Sequence, residues 1–488
     1  MRSSGILLHI SSLPSPYGIG TFGRQAYQFV DFLRAAGQRY WQLLPLGQTS
    51  FGDSPYQSFS VFAGNPYFID LVTLCEEGLL TNEECNAYDW GSDEKAVDYA
   101  KIFHNRYALL WKAYRRFQNK QALGEFRTEN SGWIEDYALY MAVKSKMGLR
   151  TWTEWDEDIK LRKPEAVQQY KAQLADDIEY YIFLQYLFFK QWYALKAYAN
   201  KNNVEIIGDM PIYVAADSAD TWANSEIFLL DEHKNLIDVA GVPPDGFSAT
   251  GQLWGNPLYR WDYLKQTNYD WWVKRLKAAS HIYDVTRIDH FRGLESYYAI
   301  PYGDKTAENG EWRKGPGYHF FESILPQLGN IRLIAEDLGY LTEGVHELRR
   351  KTGYPGMKIL EFAFDSREAS DYLPHNYNKN CVVYTGTHDN DTVRGWFSSA
   401  SGEDVAFARR YLNITNDKNG IWEFIRAAMA SVANLAVVQM QDYLNLDSHA
   451  RMNTPSTIGG NWRWRLSPNA LAPELAKRIG DMTHLYGR

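Results

Sequence analysis

Four short apolar stretches of the chain each end in an acid. They are VEIIGDMPIYV at 204–214 with Asp209, IYDVTRIDHF at 282–291 with Asp289, IRLIAEDLG at 331–339 with Glu336, and CVVYTGTHDN at 381–390 with Asp389. Runs of this kind, without polar alternation, predict strands buried on both faces, as in a parallel sheet. Between them the apolar positions shift to helical spacing. The segment PEAVQQYKAQLADDIEYYIFLQYLFFKQWYALKAYAN, 164–200, opens with proline at a first-turn position and runs without glycine to the strand at 204. TNYDWWVKRLKAAS (267–280) and TEGVHELRRKTG (342–353) predict two more helices. The resulting βαβα order puts all four acids at the C-terminal ends of strands.

That placement predicts an α/β protein built as a (β/α)8 TIM barrel, because strand ends in such a barrel converge on one mouth. An open doubly wound sheet is the alternative, but no G-x-G-x-x-G loop follows a first strand. The acids are spaced more widely than the roughly 30 residues of a minimal βαβ unit, so insertions must decorate the mouth. The chain is read as a single catalytic unit, 1–488, with a mostly helical insertion at 68–180. A loop-rich insertion at 235–280 is expected to cover the site. Its centre, GVPPDGFSATGQLWGNPLYRW (241–261), is rich in glycine and proline around Gln252, Trp254 and Asn256, and reads as a long irregular lid.

Charge and composition narrow the partners. A net charge of −8, without long like-charge runs, argues against a grip on nucleic acid or anionic lipid and for a neutral ligand. Cys75, Cys85 and Cys381 offer neither a disulfide framework nor paired zinc spacing, and read as ordinary thiols of a reducing compartment. The opening residues carry no small-residue cleavage site, and no apolar run reaches about 18 residues, so a cytoplasmic protein without a membrane span is expected. Aromatic residues make up 15% of the chain, with 17 Trp and 34 Tyr; these suit core packing and equally suit stacking on the C–H faces of sugars.

A lone carboxylate at a strand end is unremarkable, but clustered carboxylates repel unless their pKa values split, which acid/base chemistry requires. Exchange of a glycosidic bond with retention uses a nucleophilic carboxylate and a protonated carboxyl about 5–5.5 Å away. Asp289 has Arg287 two residues earlier on the same strand face, which would keep it ionised as a nucleophile or equally as a structural ion pair. Glu336 follows three apolar residues, where desolvation would raise its pKa; the other reading turns Glu336 outward and Asp337 inward. Two His-Asp pairs, His290 with Asp289 and His388 with Asp389, raise a metal site, but H-x-H and H-E-x-x-H spacings are missing. Neutral histidines donating to substrate hydroxyls, with Asp389 bracing the sugar, are the sharper expectation.

The motifs GILLHISSLPSPYGIG, DSPYQ, GDMPIYV, GVPPDGFSATGQLWGNPLYRW, RIDHFRG, AEDLG and GTHDNDT occur in that order. Together they resemble glycoside hydrolase family 77, the 4-α-glucanotransferases called amylomaltases or disproportionating enzymes, over nearly the whole chain. The resemblance implies a barrel enzyme that transfers α-1,4-glucan segments with retention and needs no metal or organic cofactor. It implies Asp289 as nucleophile, Glu336 as general acid/base and Asp389 as the transition-state stabiliser. Tyr56, Asp209, Arg287, His290, His388, Gln252, Trp254 and Asn453 match substrate-binding positions. Implied partners are maltooligosaccharides and α-1,4-glucans derived from starch or glycogen. The chain departs from the pattern at Gly246, where many relatives carry a bulky aromatic. Rival readings are an α-amylase-like hydrolase, a glycan-binding protein and a metal-dependent barrel hydrolase.

Overall fold

The computed structural model describes residues 2–245, 248–339, 341–416 and 419–488, so the departure at Gly246 lies outside the described residues. Its strands are β1 Ser3–Leu7, β2 Tyr40–Gln42, β3 Glu205–Pro211, β4 Asp238–Val242, β5 Gln252–Pro257 and β6 Val285–Asp289. They continue as β7 Ser296–Pro301, β8 Glu311–Lys314, β9 Leu333–Ala335, β10 Gly356–Ile359, β11 Cys381–Tyr384 and β12 Leu435–Gln439.

β1, β2, β3, β6, β9, β10, β11 and β12 form one parallel sheet whose neighbours follow chain order. The Ala335 N–H donates to the Pro355 carbonyl at 2.9 Å and brings β9 against the start of β10, so the sheet comes round to a nearly closed barrel. The apolar character of these strands follows from that position: every residue of β11, and all of β12 beyond Leu435, is buried between the barrel interior and an outer layer of helices. Helices Arg24–Ala35, Asp270–Ile282, Tyr318–Leu328, Glu343–Thr352 and Pro473–Leu485 supply much of that layer. Between β10 and β11, among the described residues, only short 3-10 turns at Leu360–Phe362 and Pro374–Asn376 occur, because DSREASDYLPHNYNKN carries no helical apolar period.

Two local expectations are corrected. The segment 164–200 is not one helix but two, Pro164–Gln173 and Ala175–Lys201, separated at Leu174 (φ −111°, ψ 24°). The first has no buried residue, whereas the second buries a long apolar surface. Asp176, in the first turn of the second helix, accepts hydrogen bonds from Tyr114 Oη and Arg115 and ties that turn to helix Tyr99–Arg116. The stretch 241–261 is not a long irregular loop either. It supplies the end of β4 and all of β5, which join β7 and β8 in a four-stranded antiparallel sheet of order β5-β4-β7-β8. Glycine and proline hid the pairing because their strand propensity is poor. Gly241 is nevertheless required by it, since a Cβ there would lie 2.2 Å from the Gln252 carbonyl oxygen.

The tryptophans divide between roles. Trp41, Trp152, Trp192, Trp222 and Trp272 are fully buried in the main core. Tyr283 packs so tightly on β3 that a Cβ on Gly208 would sit 2.1 Å from its ring, while its hydroxyl accepts the Leu46 N–H at 3.3 Å. Gly208→Ala is therefore expected to destabilise the barrel by about 1–3 kcal/mol through overpacking. Chemical denaturation checks this, and an unchanged midpoint would mean that Tyr283 moves aside at no penalty.

Candidate active site

Parallel pairing of β3 with β6 sets Asp209 opposite Arg287 and Pro211 opposite Asp289. Because side chains two apart on a strand share a face, Arg287 and Asp289 point the same way. Arg287 Nη1 donates to both oxygens of Asp209 at 2.7 Å and to Asp289 Oδ1 at 2.9 Å. Tyr56 Oη donates to Asp209 Oδ2 at 2.8 Å. Asp209 is thus buried beneath Tyr56 and Arg287 rather than facing the cleft. It was expected as a substrate-binding residue; in the structure it braces the residues that face the cleft, with its carboxylate already occupied.

Immediately after Asp289, His290 adopts a left-handed conformation (φ 52°), one that histidine tolerates better than most residues. This ends β6, starts the turn Phe291–Leu294 and aims the His290 N–H at Glu336 Oε2, 2.6 Å away. The Leu338 N–H holds Glu336 Oε1 at 2.9 Å. Glu336 therefore faces the cleft. Asp337 turns back into the fold, where it accepts the Met357 N–H at 2.7 Å and pairs with Arg349 at 3.0 Å. The choice between the two acids, open on sequence grounds, falls to Glu336.

Asp389 lies beyond the end of β11, on the loop that follows. Its Oδ1 accepts Asn453 Nδ2 at 2.6 Å and its Oδ2 lies 3.3 Å from His388 Nε2. Arg451 donates to the carbonyls of Asp389 (2.6 Å) and Asn453 (2.7 Å), clamping the two loops together. The Tyr56 ring stacks on His388 with centroids 5.1 Å apart, and Trp462 leans on both. On the opposite side Trp254 meets the His290 ring edge-on at 4.9 Å, its Nε1 donating to Gln252 Oε1 at 3.1 Å. All the expected site residues except Asp209 line one cleft of ≈ 2570 Å³, far larger than a drug-sized pocket and long enough for an oligomeric ligand.

Sequence reasoning passed over Arg451, Trp462, Arg292 and Trp312, which line the same cleft. Arg451 stands two residues before Asn453 in RMNTP and could have been found there; a tryptophan among 17 carries no signal of its own. Among the described residues, no group of three or more His, Cys, Asp or Glu side chains is placed to hold a metal ion.

The 4-alpha-glucanotransferase family model, glycoside hydrolase family 77, matches residues 8–471. A 4-alpha-glucanotransferase of Clostridium butyricum is 53% identical, covering 99% of this chain and 100% of that protein. One from Thermus thermophilus is 47% identical over 100% of this chain and 99% of its own. The solved amylomaltase of Streptococcus agalactiae, in complex with acarbose, superposes with a TM-score of 0.98 at 43% identity, each chain covered in full. The chain belongs to the 4-alpha-glucanotransferase family. Its activity is that of a 4-α-glucanotransferase, a glycosyltransferase-type enzyme of starch and maltodextrin metabolism, and the hydrolase alternative is not favoured.

The electrostatics of this glucanotransferase separate its carboxyls. Burial pushes Glu336 up to about 7, against the pull of Arg287 and with Asp289 adding to the rise. Burial also raises Asp289, to about 6, with Arg287 opposing and Asp209 and Asp389 contributing. Arg287 was expected to keep Asp289 ionised; it does favour the charged form, but burial outweighs it and Arg287 is shared with Asp209. The Asp289 side chain keeps 29% of its surface exposed, and water there offsets part of the burial penalty. Of the two, Glu336 holds its proton to higher pH.

The two histidines differ. Burial, assisted by Arg292, drops His290 to about 3, so it is neutral, and its buried Nε2 has no hydrogen-bond partner among the described residues. For His388 burial favours the neutral form, but Asp389 outweighs it and raises the pKa. The pair of neutral histidines expected from sequence is therefore one neutral ring and one ring biased towards charge, because the loop after β11 is not extended and lets neighbouring side chains meet. Burial works against the charge of Asp389, yet His388 and Asn453 bring it down to about 2.

If the reaction uses the form in which Asp289 is ionised and Glu336 protonated, which this order of pKa values allows, kcat/KM is expected to be bell-shaped in pH. The acid limb reports loss of the Asp289 charge and the alkaline limb loss of the Glu336 proton, the two limbs belonging to the pair. The alkaline limb measured with a maltooligosaccharide donor should be absent from fluoride release with a glucosyl fluoride donor, whose leaving group needs no proton, and Glu336→Gln should release fluoride without that limb as well. An alkaline limb that persists in this variant would assign it to another group.

Proposed function

We propose that Asp289 is the nucleophile, Glu336 the general acid/base and Asp389 the carboxylate that braces the reacting sugar. The observation that supports this most directly is the pairing of unlike carboxyls across His290: Asp289 tied to Arg287, and Glu336, buried and proton-holding, fixed by two backbone N–H groups. Asp289 attacks the anomeric carbon as Glu336 gives its proton to the departing glycosidic oxygen. The reducing-end fragment leaves, and the donor segment stays as an ester on Asp289. Glu336, now ionised, takes the proton from the 4-hydroxyl of an acceptor sugar, whose oxygen displaces Asp289 and forms a new α-1,4 bond.

The donors and acceptors in this reading are maltooligosaccharides and α-1,4-glucans from starch or glycogen. The complex of the Streptococcus agalactiae protein with acarbose supports an oligosaccharide ligand. Asn453, His388 and Tyr56 are the hydrogen-bonding and stacking groups for the donor end, and His290 Nε2, beside Trp254, is the hydroxyl-binding group of the facing wall. Gln252 and Trp254 form the wall against which an acceptor displaces water; transfer outcompetes hydrolysis only when that exclusion holds. The segment 68–180 is read as a helical insertion, and the part of 235–280 around β5 as the element that covers the site.

Two measurements test the assignment. Incubated with maltotriose, the enzyme should yield glucose and longer maltodextrins while total reducing ends stay constant; reducing ends that climb with each cleavage would make water the acceptor. Asp289→Asn should lower kcat by roughly 10³-fold or more with the circular dichroism spectrum retained. A well-folded variant of near-normal activity would reject Asp289 as nucleophile.

A further inference from the structure

The four-stranded sheet carries an aromatic that none of the mechanism above uses. Trp312, on edge strand β8, lies with its ring 3.9 Å from the Arg292 guanidinium carbon and packs at an angle on Tyr298, its cross-strand partner on β7, at 5.2 Å. These contacts hold the indole in place, yet 42% of its surface remains exposed, and it lines the cleft. An exposed tryptophan anchored from below by a cation and a second ring is a rigid stacking surface that loses little conformational freedom on binding.

Its position relative to the reacting groups gives it a side. Arg292 belongs to the turn Phe291–Leu294, which follows His290 and is tied to Glu336 by the Phe291 N–H donating to the Glu336 carbonyl at 3.1 Å. The strand order β3-β6-β9 puts Asp289 between Asp209 and Glu336, and Tyr56, bonded to Asp209, packs with His388, whose neighbour Asp389 holds Asn453. The general acid stands beside the leaving oxygen, so the Glu336 side is the one through which the leaving fragment departs and the acceptor arrives. Trp254 packs on His290, the residue directly after Asp289, whereas Trp312 packs on Arg292, two residues further along the same turn.

We propose that Trp312 forms an outer acceptor subsite, stacking on a glucosyl ring of the acceptor chain beyond the one that supplies the 4-hydroxyl, and so favours oligosaccharide acceptors over free glucose. The inference rests on Glu336 being the acid/base. A maltosyl fluoride blocked at its non-reducing 4-hydroxyl serves as donor, since it cannot itself accept, and glucose or maltotriose is titrated as acceptor. Trp312→Ala should raise the KM for maltotriose roughly tenfold, the effect of losing one stacked ring, and shift the KM for glucose less than twofold. Trp312→Phe, which keeps a ring over Arg292, should restore most of the discrimination. An unchanged maltotriose KM in Trp312→Ala overturns the proposal, and so does an equal rise for both acceptors, which marks a merely structural residue. Glu336→Gln with the same donor separates the two levels. Normal transfer in that variant refutes the acid/base reading, whereas loss of transfer together with an unaltered Trp312→Ala refutes the subsite alone.

Discussion

Arg287 carries a full positive charge into the C-terminal end of the barrel, where an unpaired ion would be penalised by several kcal/mol. Asp209 and Asp289 supply its counter-charges from adjacent strands, and Tyr56 caps the outer oxygen of Asp209. Although burial works against the charge on Arg287, these two carboxylates hold it protonated well above its usual range. The arrangement is over-determined. One guanidinium nitrogen aligns two strands, positions the Asp289 carboxylate and, through Asp209, fixes Tyr56.

Burial makes Asp289 less acidic, and the sharing of Arg287 limits how far its charge can oppose that. The positive charge that would hold it low is divided with Asp209, and Asp389 adds repulsion. Glu336 is raised further, chiefly by burial; its fixed partners among the described residues are two backbone N–H groups. A small difference in how charge is distributed around two similar carboxyls thus orders their protons, and the order matches what nucleophile and acid require.

The cleft is assembled from pieces that no single strand end could provide. Tyr56 comes from the link after β2, Asn453 and Arg451 from the link after β12, and Trp254 from the antiparallel sheet between β3 and β9. The clamp of Arg451 on two carbonyls and the stack of Tyr56, His388 and Trp462 join the loops on one side. On the other side Trp254 and His290 meet edge to face. Walls of this kind are built by loops and inserted strands rather than by the barrel strands themselves.

By itself the sequence determined the parallel barrel and the carboxylates at its mouth, since apolar runs ending in acid encode both burial and strand polarity. It also determined the Arg287–Asp289 alignment, a consequence of the two-residue repeat of a strand. It could not decide between Glu336 and Asp337, because that depends on the Met357 N–H and Arg349, which reach Asp337 from β10 and the preceding helix. Nor could it anticipate that Asp209 lies beneath the cleft, that 241–261 is half of a sheet, or that the helix at 164–200 breaks at Leu174. Each of these is set by partners distant in the chain. Trp312 is the extreme case: its residue type matches 16 other tryptophans, and only the pairing of β7 with β8 and the approach of Arg292 distinguish it from those that fill the core. Local pattern records which side chains avoid water, whereas a shared charge, a hydrogen bond across strands or a ring left exposed depends on which segments meet, and that is decided by the tertiary fold.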